Sequence, residues 1–395
     1  MITSISINNF KSVRQLSFDL SKVNVIIGEN GCGKTNILEA IAFASASQGY
    51  MVQETLGRKM RYVPADFMIP AFADIDDDIT NKIITISLST NSGCPLVTRA
   101  IYNPQKKEWI NDNSSLEKEN VLQTLKLIYD NQPDLFSNLA DTHNQDLIKA
   151  IKDGKVDRVL NIIPDVFGEM QKSLHNWSEL NSFTIYCPEE SKLRRFSDDT
   201  AAYPLGRNGE GLFQYLKEIS NGEKKAVMKQ IISQMSLLDW FDGTSIPNDL
   251  LSNEYRLMIG DKYLKDTLHY FDQRSTNEGF LFLLFYMTLF SSPDTPPFFA
   301  IDNIEASFNP KLCTKLIQVI TDLAKKNRKQ VIITTHNPYI LNGLDLSDDA
   351  QRLFVARRNR DGHTVIKRIP FIDNLNMHLS DVWMKGMIGG LPDNF

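Results

Sequence analysis

Gly28, Glu29, Asn30, Gly31, Cys32, Gly33, Lys34 and Thr35 follow the pattern GxxxxGKT. Such a loop turns backbone N–H groups inward on a polyphosphate, and a following helix adds partial positive charge at its N-terminus. In that chemistry Lys34 reaches the β- and γ-phosphates and the Thr35 hydroxyl ligates Mg²⁺. The flanks have the required order. Val23 to Ile27 is an apolar run of strand length, and Asn36 to Ala42 continues with helical character. A chance match in a chain of this length has odds of about one in a hundred. ATP or GTP binding is the expectation.

Two polar residues further along suit the same chemistry. Phe298 to Ile301 reads as a buried strand ending in Asp302, the position from which a carboxylate holds a nucleotide's Mg²⁺. Val331 to Thr335 reads as the next parallel strand, ending in His336. An aspartate or histidine at one strand end is ordinary. Two of them on the carboxyl edge of one sheet, where open α/β sheets bind ligands, carry more weight.

The elements that must position these groups are legible in outline. Residues 1–27 predict three short strands, the third entering the glycine loop, and the helix after Lys34 ends before Gly49. Lys82 to Ser89 alternates as a half-buried strand. Residues 114–180 predict a helical insertion, and Phe183 to Tyr186 a strand returning to the head. Residues 189–210 predict a surface loop, with helix from Gly211 to about Trp240. The run from Gly279 to Phe290 predicts a buried core helix, too short to cross a bilayer. Asn309 and Pro310 predict a helix start, and Arg352 to Ile369 a hairpin turning at Asp361 and Gly362. The division is therefore 1–113, the first part of an α/β head; 114–180, the insertion; and 181–395, the rest of the head.

Bulk properties exclude several classes. The chain has 395 residues, 42% apolar and 23% charged, with a net charge of −5, so it is no general polyanion binder. The clusters Lys192/Arg194/Arg195, Lys325/Lys326/Arg328/Lys329 and Arg357/Arg358/Arg360 predict solvated faces or helix ends before nucleic-acid grooves. Four scattered cysteines, Cys32, Cys94, Cys187 and Cys313, form no CxxC pair, which points to a reducing cytoplasm without a disulfide frame or zinc site. Cys32 reads as a small filler in the loop. The first residues lack a signal-peptide pattern, and no membrane partner is expected. Trp109, Trp177, Trp240 and Trp383 read as core or interface anchors.

In order along the chain come the opening Ile5 to Ser12, the glycine loop with Asn36 to Ala40, Ser275 to Leu281, Ala300 to Pro310, and Thr334 to Pro338. Together they resemble an ABC-type ATPase of the RecF, SMC and overcoming-lysogenization-defect group, a set often described as AAA family ATPases. The resemblance implies a P-loop head with a β-rich N-terminal subdomain and a helical insertion. It implies ATP and Mg²⁺, with Thr35 and Asp302 as metal ligands. His336 would be the switch histidine sensing the γ-phosphate, and Glu305 to Pro310 the D-loop region facing a second subunit. Ser275, Asn277, Glu278 and Gly279 would form the signature that completes the ATP site of the opposite protomer. A homodimer of heads, or a higher homo-oligomer, follows.

Two positions depart from the group's pattern. The residue after Asp302 is usually glutamate and here is Asn303, an amide that orients water but cannot take its proton. Glu305 follows two residues later. Hydrolysis is therefore expected to be slow, or completed by a partner. In the signature, Asn277 takes the usual serine position, with Ser275 as its rival. No Q-loop glutamine stands out.

The leading functional expectation is an ATP-gated dimerising ATPase serving as a regulatory or sensor subunit in anti-phage defence. Its effector would be a separate protein, such as a nuclease, since no HNH-type or TOPRIM-like set is visible. The alternative is a RecF- or SMC-like DNA-binding ATPase of repair or maintenance, with salt-sensitive DNA binding. A transporter nucleotide-binding subunit is disfavoured by the insertion and the signature, and a small-molecule kinase would need neither D-loop nor switch histidine.

Overall fold

The computed structural model describes residues 1–47, 52–70, 83–90, 96–111, 149–150, 152–153, 178–195, 204–220, 223–247, 256–264, 270–373 and 376–391. The expected helical insertion, Cys94 and Trp177 lie almost wholly outside them. The strands are β1 Ile2–Phe10, β2 Val13–Asp19, β3 Val23–Ile27, β4 Ile83–Thr90, β5 Leu96–Asn103, β6 Glu108–Asn111 and β7 Ile185–Tyr186. They continue as β8 Phe241–Ser245, β9 Met258–Asp261, β10 Tyr270–Asp272, β11 Phe298–Ile301, β12 Gln330–Thr334, β13 Gln351–Arg358 and β14 Thr364–Ile369. The helices are α1 Lys34–Ala46, α2 Val52–Lys59, α3 Ser178–Asn181, α4 Glu190–Leu193 and α5 Leu212–Ser220. After them come α6 Lys225–Gln234, α7 Glu278–Ser291, α8 Pro310–Lys326, α9 Pro338–Leu341 and α10 Leu379–Met384.

A six-stranded sheet in the order β14-β13-β3-β12-β11-β7 forms the centre. Its pairs from β13 to β7 are parallel, and β14 folds back antiparallel on β13. Parallel strands covered on both faces read as continuous apolar runs, and successive side chains part to opposite sides. That division is visible in β3, where Val23, Val25 and Ile27 enter one core and Ile26 the other. β12 behaves alike, with Val331 and Ile333 against Ile332.

One core is built around α7, whose residues Phe280 to Ser291 are all buried. A helix apolar on every side must be enclosed, and this one is. The other core packs α1 between the central sheet and a five-stranded antiparallel sheet, β2-β1-β4-β5-β6. A third sheet, β10-β9-β8, precedes α7. Trp109 and Trp383 are buried, and Trp240 packs edge-to-face on Phe241 and tilted against Phe271 and Phe280.

Several elements differ from their sequence reading. The returning strand at 183–186 shortens to β7, two residues long. Within 189–210 the chain forms α4, and Leu193 and Leu205 are buried, so this stretch is no simple surface loop. Apolar anchors there outweigh the turn-forming composition. The helix expected from Gly211 to Trp240 is two helices, α5 and α6, before a 3-10 turn at Met235–Leu237. The second basic cluster is not wholly solvated. Lys329 is buried and donates to the Thr295 carbonyl at 2.7 Å and hydroxyl at 2.8 Å, and burial lowers its pKa to about 8.

Candidate nucleotide site

The glycine loop joins β3 to α1, so its end is the N-terminus of a 13-residue helix. Two glycines are dictated by close approach. A side chain at Gly28 (φ 149°) would place its Cβ 2.2 Å from the Ala356 carbonyl oxygen. One at Gly33 (φ 104°) would lie 2.0 Å from the Thr364 hydroxyl. Both contacts come from the β13–β14 hairpin. The hairpin and the β1–β2 turn clasp the loop: the Thr364 hydroxyl donates to the Cys32 carbonyl at 2.8 Å and meets the Ser12 hydroxyl at 2.7 Å. The Asn36 amide donates to Ser12 at 2.6 Å. Cys32 is buried as a filler, its thiol pKa raised by that burial.

The Lys34 ammonium donates to the Gly28 and Glu29 carbonyls, each at 2.9 Å. Burial lowers its pKa, against the pull of Cys32, Asp302 and Glu305. The Thr35 hydroxyl lies 3.0 Å from the nearer Asp302 carboxylate oxygen, and the Thr334 hydroxyl donates to the other. The sequence-separated ends of β3, β11 and β12 therefore meet. A hydroxyl beside a carboxylate is an oxygen donor set suited to a hard cation such as Mg²⁺.

These groups open into a cleft of about 410 Å³ lined by Asn30, Gly31, Gly33, Lys34, Thr35, Asn36, Arg61, Asn303, His336 and Arg358. Three fixed cations, Lys34, Arg61 and Arg358, line it without any carboxylate. That balance fits a polyphosphate. Asn303 is exposed with φ 56°, and His336 stands exposed at the wall. Burial and the Lys34 charge lower the His336 pKa, opposed by Glu305 and Asp302. Glu305 does not line the cleft. Its carboxylate accepts the His336 backbone N–H at 2.7 Å.

Arg61 and Arg358 escaped the sequence reading as site residues. Arg61 is held by Glu39 of α1, 22 residues earlier in the chain, which also binds Lys11. The Glu39 hydrogen bond raises the Arg61 pKa.

The expected signature lies elsewhere. Asn277 caps α7, accepting from the Phe280 N–H at 2.8 Å, and with Glu278 and Gly279 it lines a second cleft of about 620 Å³. Ser307, Lys311 and Lys315 face this cleft, and so does Asp239. The two clefts share no lining residue. Ser275 closes a turn by donating its N–H to the Asp272 carbonyl and does not line the second cleft.

The chain has relatives among known proteins. A family model described as an AAA domain matches residues 4–239, more than half of the chain. Residues 271–342 match a model described as "AAA domain, putative AbiEii toxin, Type IV TA system". The DNA replication and repair protein RecF of Francisella tularensis subsp. mediasiatica (strain FSC147) is 36% identical over 127 residues, covering 29% of this chain and 36% of that protein. The same figures hold for RecF of F. tularensis subsp. novicida (strain U112). The chain thus spans about a third of the length of these curated relatives. Among solved structures, the SmcHead bound to the C-winged helix domain of ScpA superposes with a TM-score of 0.53 at 13% identity, covering 95% of this chain and 99% of that one. That likeness is one of fold. The fold is that of an ABC-type ATPase head of the RecF/SMC-like kind. The chain belongs to the AAA-domain family. Among the described residues no helix is long and apolar enough to cross a membrane.

Proposed function

We propose that this head binds MgATP in the Lys34 cleft and that binding drives two copies together, each presenting its Asn277 end to the other's nucleotide. The carrying observation is the separation of the two clefts. Lys34, Thr35 and His336 line one, with Asp302 bonded to Thr35, and Asn277, Glu278 and Gly279 line the other, with no common lining residue. A signature that cannot serve its own nucleotide is suited to serve a neighbour's.

The assigned roles follow from chemistry. Lys34 leaves the Gly28 and Glu29 carbonyls for phosphate oxygens, a stronger charge-assisted bond. Thr35 and Asp302 hold Mg²⁺, which when bound neutralises phosphate charge. Asn303 orients water without taking its proton, which makes turnover slow. His336 offers a neutral imidazole to the γ-phosphate end, its backbone fixed by Glu305.

Two settings fit this head. The RecF relatives support a DNA repair or maintenance role, with DNA bound only by the ATP-assembled dimer. The second setting, a regulatory role in anti-phage defence with a separate effector such as a nuclease, rests on the sequence resemblance; residues 271–342 match a model described as a putative toxin of a type IV toxin–antitoxin system. The RecF-like setting has at least equal support. Light scattering of the full chain with and without MgATP tests the gating. An ATP-dependent doubling of mass is expected; an unchanged monomer would rule gating out. DNA binding measured across a salt series, with and without ATP, separates the settings, since only the first expects ATP-dependent, salt-sensitive binding.

A further inference from the structure

Arg358 belongs to a basic cluster read from sequence as a solvated face, yet it lines the nucleotide cleft. It sits at the end of β13, on the hairpin that clasps the glycine loop. Its Nε donates to the Gly31 carbonyl at 3.1 Å, and one terminal nitrogen donates to the Gly362 carbonyl at 2.6 Å. Two acceptors on a planar fork fix the plane of the guanidinium, and a plane fixed before binding loses little freedom on binding. The remaining N–H donors and the flat face stay available to a ligand.

The order of the sheet says which part of a ligand meets that face. β13 flanks β3 on one side and β12 on the other, with β11 beyond β12. Asp302 follows β11 and His336 follows β12, so the metal and switch groups lie on the far side of the glycine loop from Arg358. Phosphates held by Lys34, Thr35 and Asp302 leave the remainder of the nucleotide toward β13. We infer that Arg358 receives the nucleoside portion of the bound nucleotide, its guanidinium plane packing against the base. This inference rests on the nucleotide site proposed above and adds a residue to it.

Binding of ATP, ADP and inorganic tripolyphosphate to the full chain, each with Mg²⁺, tests it by calorimetry. Arg358→Ala is expected to weaken ATP and ADP alike by about tenfold, on the order of 1.4 kcal/mol. Tripolyphosphate, which has no base, is expected to weaken by only about twofold, the share of one cleft cation removed. Equal losses for all three ligands would make Arg358 a phosphate or loop-supporting residue and overturn the inference, as would no change for ATP. Arg358→Lys keeps the charge without the plane and should resemble Arg358→Ala. Full rescue by lysine would also overturn it. Lys34→Ala is the separate control: if it still binds ATP normally, the nucleotide site itself is misplaced, whatever Arg358 does.

Discussion

In the cleft around Lys34 the binding groups are tied to one another within the chain, whereas those at the N-terminus of α7 face outward. Lys34 holds two carbonyls of its own loop, Asp302 is held by Thr35 and Thr334, and the β13–β14 hairpin pins the loop from outside. At α7, Asn277 is exposed and makes one local capping bond, beside the exposed side chains of Lys311 and Lys315. One region is preorganised for a ligand that arrives from solution. The other has the character of half an interface. One segment reaches both: the stretch after β11 carries Asn303 into the first cleft and Ser307 into the second, both in the left-handed region (φ 56° and 67°). Non-glycine residues adopt that region at a cost, and a tight path between two sites is where such a cost is tolerated.

The contrast can be broken most forcefully at its closed end. Lys34→Ala should weaken ATP binding by about a hundredfold or more and abolish assembly, since a buried charge contact to phosphate is lost. Retained ATP-dependent assembly in that variant would dissolve the distinction between the clefts. Asn277→Gly probes the open end. Glycine keeps most of the cap, costing only about a few tenths of a kcal/mol in stability. Assembly should nevertheless weaken by about tenfold or more while monomer ATP affinity stays level; a matched fall in ATP affinity would place Asn277 in its own copy's site.

Asn303→Glu sharpens the comparison at the connection. A carboxylate there should raise turnover by about tenfold, toward the contribution of a general base. Flat phosphate-release rates would mean that another group already takes the proton. The smallest effect concerns His336. Its pKa is lowered below the ordinary 6.5 by burial and by Lys34, so the fold favours the neutral imidazole. A lowered folded-state value gives a contribution present above pH 6.5 and lost as pH falls below it. Relative to His336→Gln, the wild type should therefore lose melting temperature between pH 7 and pH 5, by a small amount because the residue is only partly enclosed. A difference that stays constant over that range would remove the assignment.

Short-range features carried most of the sequence reading. The β3–loop–α1 unit, the Asp302 and His336 strand ends, the Asn309 cap with Pro310, and the hairpin at Gly362 each depend on a few neighbouring residues. The two-faced burial of β3 and β12 is likewise written in their unbroken apolar runs. Residues 189–210 misled because composition signals turns, while Leu193 and Leu205 are buried by partners far away in the chain. Arg61 was illegible for the same reason. Its position is set by Glu39, which in turn is set by Lys11 on another element.

The sequence by itself determined the phosphate cradle, the helix behind it and the enclosed α7, because glycine backbone freedom, capping and apolar periodicity act over spans of a few residues. Tertiary structure alone decided that Arg61 and Arg358 join Lys34 in one cleft, and that Asn277 is kept out of it. Arg358 lies 327 positions from the Gly31 carbonyl it holds. Which side chains share a cavity at such separations is fixed by how sheets and helices pack, and no local pattern encodes that.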